Sequence, residues 1–284
     1  MEGLGLALTA SMFWGIADFV GGLQSRRRAL LQVMLVSQGI ALLALTVVVA
    51  ASGDQPPNLV RLLPAAAAGI AGIAGLTAFY RALAIGTISI VAPIAATGVC
   101  VPVVVGIAGG EHPGPLQLLG ILAAIVGVVL ASREPDADAD PGSSHARVAR
   151  TSVLLAIVAA LGFGAFAVGL RSSARADVLW ALVAARATGV AGLAIAYAVV
   201  RPSQPLPGRA LVPLAAMGTL DLAANGLYAL ATRHGLLSIV SVAASLYPLV
   251  TVTLARGLLG ERVRRIQELG VVAALAGVVL IAAG

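Results

Sequence analysis

Three ionisable side chains stand inside otherwise uncharged runs: Asp18, Arg186 and Asp221. A charge at the centre of a membrane helix costs at least ~2.5–3.5 kcal/mol on insertion scales, so each implies a partner or a task. Two readings fit. In the first, Asp18 or Asp221 takes up a proton or pairs with a substrate amine, while Arg186 balances charge or meets a carboxylate. Burial and a neighbouring guanidinium act oppositely on a carboxyl, which lets such a site exchange protons near neutrality. In the second, an Asp–Arg pair only links helices, or a long side chain snorkels to the interface. Asn225 and Tyr228 follow Asp221 at steps of four and three, which places all three on one helical stripe. Thr77 and Tyr80 hold the corresponding positions earlier in the chain. Such a stripe either faces a cavity or bonds to neighbouring helices, at ~0.6 kcal/mol per contact. Trp14, in the middle of an apolar run, either stacks on a substrate or packs in the core.

Proline adds a second kind of signal. Pro93 and Pro102 share one apolar run with Ser89 and Thr97; Pro248 shares another with Ser238, Ser241, Ser245 and Tyr247. A proline frees a backbone carbonyl and bends its helix, and broken helices in transporters often line the binding site. Neighbouring hydroxyls can also simply satisfy the freed groups. Glu111 and Glu261 each precede an apolar run by a few residues. A carboxylate there can accept free N–H groups and favour the positive end of a helix, which suits a structural or gating role.

The elements that must position these residues are helices in a bilayer. The chain is 60% hydrophobic and 11% charged, with a mean hydropathy of +1.02. A soluble protein of this size cannot cover its surface with so few charges. About 20 apolar residues cross the ~30 Å hydrocarbon layer as a helix. Breaks at charges and at Pro/Gly/Ser clusters give expected spans at 3–23, 31–52, 60–80, 85–108 and 115–132, then at 152–171, 178–200, 209–231, 236–258 and 265–283. Residues 133–150 are acidic, then rich in Pro, Gly and Ser, then basic, and read as a solvated linker.

The two sets of five are copies. Shifted by 150 positions, Gly110–Leu130 and Gly260–Leu280 share 11 of 21 residues, including Glu111/Glu261 and Gln117/Gln267. With small changes of offset, Trp14-Gly15 falls opposite Phe163-Gly164, Tyr80 opposite Tyr228, and Ser89-Ile90-Val91 opposite Ser238-Ile239-Val240. Five is odd, so the second copy enters the membrane from the opposite side. The expected fold is therefore an all-α membrane protein of ten transmembrane helices in two inverted five-helix repeats, at 1–132 and 151–284, an arrangement common among secondary transporters. All 18 basic residues are arginines; 13 fall in one set of loops and 4 in the other, which by the positive-inside rule puts both termini outside the cytoplasm.

Leu227–Ala282, with GLLSIVSVAASLYPLVTV and LLGERVRRIQELGVVAALAGVVL, and Phe79–Glu111 resemble the last helices of the two repeats of the EamA-like branch of the drug/metabolite transporter superfamily; Trp14-Gly15 in the first helix fits too. The resemblance implies a ten-helix carrier that moves small metabolites by alternating access through a central cavity, without ATP hydrolysis. It also implies an arginine in the second helix of a repeat, which Arg186 matches, with Gln38 in its place in the first copy.

No HExxH, Walker GxxxxGK[ST] or Cys/His cluster is present, and Cys100 is the single cysteine. No cofactor or metal is expected, and the chain is not read as an enzyme. The arginines are scattered between apolar runs, unlike a nucleic-acid face. The expected function is secondary active transport of small organic metabolites such as amino acids, as an exporter in the plasma membrane. Its partners are a small-molecule substrate, protons as coupling ion and membrane lipids. The alternatives are uptake of a sugar or nucleotide-like solute, or a membrane scaffold. Internal duplication makes a monomer sufficient.

Overall fold

The computed structural model describes residues 2–86, 88–131, 144–202 and 206–259, with scattered residues between 265 and 280. Those described are helical or lie in short turns, with no strand among them. The helices are α1 (Glu2–Arg27), α2 (Leu30–Ser52), α3 (Leu63–Ile85), α4 (Ile88–Ala96), α5 (Cys100–Ala108), α6 (Pro115–Ala131), α7 (Ser144–Ala174), α8 (Val178–Val200), α9 (Leu211–His234), α10 (Leu237–Ala244) and α11 (Tyr247–Leu259). Among the described residues, seven segments are long and apolar enough to cross a membrane, one of them Leu237–Leu259, which spans α10 and α11; Ile94–Ala108 and Pro115–Gly127 are shorter apolar helices. Glu261 and most of the expected span 265–283 lie outside the described residues, as do residues 132–143, and α7 begins at Ser144.

Large apolar side chains such as Leu43, Ile70, Val199 and Val212 are exposed, as expected where lipid is the solvent. Without a hydrophobic drive between helices, association relies on close packing and polar contacts. Alanine and glycine supply the first. Where α3 crosses α7, a Cβ on Gly162 would lie 2.7 Å from both the Gly75 Cα and the Ala71 carbonyl oxygen. Where α2 meets α9, a Cβ on Gly218 would lie 2.0 Å from the Ser37 carbonyl oxygen. Hydroxyls supply the second: Thr188 Oγ1 of α8 donates to the Ala66 carbonyl of α3 at 2.8 Å, and Ser173 Oγ accepts the free Ala65 N–H near the start of α3 at 3.0 Å. Asp177 caps α8 by accepting the Trp180 N–H at 2.8 Å.

Two expected spans are interrupted. The run 85–108 is split by a 3-10 turn at Thr97–Val99, between Pro93 and Pro102; the run 236–258 is split at Ser245 and Leu246, just before Pro248. Pro102 and Pro248 both fall in the first turn of the helix that follows, where a missing N–H costs least. The side chain of Pro93 lies outside the described residues.

Candidate functional site

A cavity of about 140 Å³ lies among α1, α2, α3, α7, α8, α9 and the two interrupted helices. Trp14, Asp18, Arg186, Asp221, Asn225, Tyr228, Ser245, Tyr247 and Pro102 all line it, and so do Gln38, Phe163, Phe166 and Ser241. Tyr80 sits behind the wall, Pro248 is buried away from it, and Glu111 lies elsewhere.

The charged groups divide into two sets. Arg186 Nη1 donates to Asp221 Oδ2 at 2.7 Å, with both side chains close to fully buried. Gln38 bridges them: its side-chain oxygen accepts from Arg186, and its Nε2 donates to Asp221 Oδ2 at 3.4 Å. This trio joins α2, α8 and α9. Asp18, 6% exposed, lies outside this trio's hydrogen bonds and accepts from the Tyr80 hydroxyl at 3.2 Å. Among the described residues no cation lies within ion-pair distance of it. The cavity wall thus carries two carboxylates and one guanidinium among the described residues.

The rest of the wall is aromatic and weakly polar. Trp14 packs on Tyr228 at 5.7 Å between ring centroids, and the Tyr228 hydroxyl pairs with Ser241 Oγ at 2.8 Å. Ser245 Oγ turns back to the Val242 carbonyl at 2.8 Å. The Tyr247 hydroxyl, buried at the break between α10 and α11, has no hydrogen-bond partner among the described residues. No group of three His, Cys, Asp or Glu among those residues could hold a metal ion.

The Trp14-Gly15 and Phe163-Gly164 pairs have matching surroundings. A Cβ on Gly15 would lie 2.7 Å from the Tyr247 carbonyl oxygen and 2.5 Å from Val250 Cβ; one on Gly164 would lie 2.7 Å from the Gly98 carbonyl oxygen and 2.6 Å from Val101 Cβ. In each case glycine lets the first helix of one copy touch the interrupted helix of the other. The aromatic residue before it faces the cavity.

This duplication is what the family comparison registers. The model of the EamA-like transporter family matches residues 1–133 and again 150–283. The chain belongs to that family. It is a multi-pass membrane protein of a transporter family of the drug/metabolite type. A crystal structure with 16% sequence identity matches 98% of this EamA-like chain and 95% of its own, with a TM-score of 0.74, a likeness of fold alone. No curated protein matches.

Glu111 sits on the corner between α5 and α6, and its carboxylate does not cap the helix it precedes. Gln117 Oε1 accepts the Gly114 N–H there, at 2.9 Å. Glu111 instead accepts the N–H groups of Leu237 and Ser238, at 2.7 and 3.0 Å. Arg171 lies 3.2 Å from Glu111 Oε1. Partial burial pushes this carboxyl up, but the Ser238 and Leu237 N–H groups, with Arg171 behind them, outweigh it and hold it below its ordinary value.

Sequence reasoning gave Gln38 no role of its own, although its place opposite Arg186 in the copies marks it. It missed Arg171 entirely, because an arginine near a span end is indistinguishable from a topology signal.

Proposed function

We propose that this EamA-like protein is a secondary active carrier of ten spans in two inverted repeats, exporting small organic metabolites such as amino acids across the plasma membrane by alternating access. The observation that carries the reading is the unequal charge of the cavity wall. Arg186 and Asp221 neutralise one another, and among the described residues Asp18 is left with a single hydrogen-bond partner, the neutral Tyr80. A buried charge without compensation is costly, so the site suits a mobile cation: a proton in one half of the cycle, a substrate ammonium in the other. Among the described lining residues the sole arginine is already engaged, which counts against phosphorylated solutes needing several cations. The aromatic wall of Trp14, Phe163 and Tyr228 suits an apolar body attached to that amine. The 13-to-4 arginine asymmetry supports termini outside the cytoplasm.

The test is flux in proteoliposomes with labelled amino acids, amines and sugars, with and without an imposed pH gradient. Saturable counterflow of an amine-bearing solute, accelerated by the gradient, is the expected result. Saturable flux of sugars alone, indifferent to pH, would refute both the coupling and the cargo class. Absence of saturable flux for every solute would favour a scaffold.

A further inference from the structure

Glu111 belongs to the first copy, yet its carboxylate serves the second. Leu237 and Ser238 open α10, and their N–H groups are among those that a helix start leaves unpaired. The bond is therefore charge-assisted and made twice, with Arg171 of α7 closing the third side. The space is fitted to it. A Cβ on Gly106 would come within 2.4 Å of Glu111 Oε2, and the Glu111 N–H donates to the Gly106 carbonyl at 3.0 Å. What α10 carries is part of the cavity: Ser241, paired with Tyr228, and Ala244, with Ser245 following at the break before α11. A free half-helix of eight residues could shift as a unit about that break.

We propose that Glu111 is a positioning residue: with Arg171 it holds the cavity-lining half-helix α10 in place across the boundary between the two copies, and its release frees α10 to move during transport. The link to transport rests on the carrier reading; the hold itself does not.

Hydrogen–deuterium exchange on the full chain in nanodiscs reads the Leu237 and Ser238 amides with no substrate. Glu111→Gln keeps the shape but offers one acceptor and no charge. Exchange at these two amides should rise about tenfold or more, the weight of a charge-assisted bond, with α3 and α9 unchanged. Thiol labelling of Ser245→Cys in a Cys100→Ser background then reads the end of α10, one residue beyond its last turn. Its rate should change by roughly threefold or more in Glu111→Gln, and Glu111→Asp should restore part of the original rate. Unchanged amides or unchanged labelling overturns the proposal. Should Glu111→Gln accelerate exchange everywhere, Arg171→Gln, which leaves the carboxylate in place, is read the same way: a selective response in α10 supports the hold, and a uniform or absent one overturns it. A selective response in a protein that transports nothing would overturn the carrier reading instead.

Discussion

Removing one member of the Arg186–Asp221 pair should cost more stability than removing both. The pair is 2.7 Å apart with side chains 9% and 11% exposed, so solvent screens it little. At an effective dielectric constant of about 20, the attraction is about 6 kcal/mol, set against a desolvation cost of several kcal/mol per ion. The two nearly cancel, and a well-packed apolar pair would serve stability about as well. A stranded charge is different: it retains the desolvation cost without the attraction, about 3–5 kcal/mol. Gln38 makes the two single variants unequal. Its side-chain oxygen still accepts from Arg186 when Asp221 is gone, whereas among the described residues a stranded Asp221 keeps only the 3.4 Å contact from Gln38 Nε2. Arg186→Met should therefore be the worse single change, Asp221→Leu the milder, and the double variant the most stable of the three. Unfolding of the purified protein in one detergent, read as a double-mutant cycle, measures the coupling. A double variant whose loss equals the sum of the singles would refute the argument, because it would mean that neither charge depends on the other.

Three further outcomes are expected. Asp18→Asn should leave a folded protein whose flux no longer responds to a pH gradient; a full response would remove Asp18 from coupling. Gly162→Leu should cost roughly 1–3 kcal/mol or more, because the groups it meets, the Ala71 carbonyl and the Gly75 Cα, are backbone; Gly192→Leu, with nothing within 4 Å of its Cβ, should fold as wild type, and equal yields of folded monomer from both would refute the close α3–α7 packing. Lowering the pH should mimic Glu111→Gln. Because the folded carboxyl titrates below its ordinary value of 4.5, its hold is fully present above that value and is lost only as pH falls beneath it. Arg171, with Arg175 next to it, acts on Glu111 from α7, Tyr228 from α9, and His112 follows in the loop. Protection of the Leu237 and Ser238 amides should persist at pH 5 and fail in stronger acid; loss near neutrality would contradict the sign.

Seven of the ten expected spans coincide with helices long and apolar enough to cross a membrane, because a bilayer helix declares itself by length and apolarity alone, and 31–52 and 178–200 fall within a residue of α2 and α8. Of the others, 85–108 is broken, 115–132 is a shorter helix, and most of 265–283 lies outside the described residues. The interruptions at 97–99 and 245–246 were legible in kind, since proline cannot donate to the preceding turn, although nothing in the sequence says how many residues leave the helix. Partners across helices were not legible. Asp221 announces a need for a cation, but many of the arginines lie at or beside the end of some apolar run, and only folding selects Arg186. Glu111 announces free N–H groups to satisfy, and the nearest in sequence, those of α6, are not the ones it meets, because Gln117 already serves that corner.

The copies also explain why the cavity-lining residues stand out by their chemistry and not by their symmetry. At offsets of 148 to 149, Trp14 corresponds to Phe163, Asp18 to Ala167, Gln38 to Arg186, Ile73 to Asp221, Ala96 to Ser245 and Gly98 to Tyr247. All twelve line the same cavity. The wall is therefore symmetric in position and asymmetric in chemistry: one copy supplies Asp18 and Gln38, the other Arg186, Asp221, Ser245 and Tyr247. Positions that only build the crossing, Gly15 with Gly164 and Val250 with Val101, remain alike. On the proposed carrier reading, duplication supplies two equivalent halves that exchange roles across the membrane, and a cargo without twofold symmetry requires that their inner faces differ. The residues at which the copies part, on a wall where the rest of the geometry agrees, are those whose exchange between copies should redirect selectivity while leaving the fold intact.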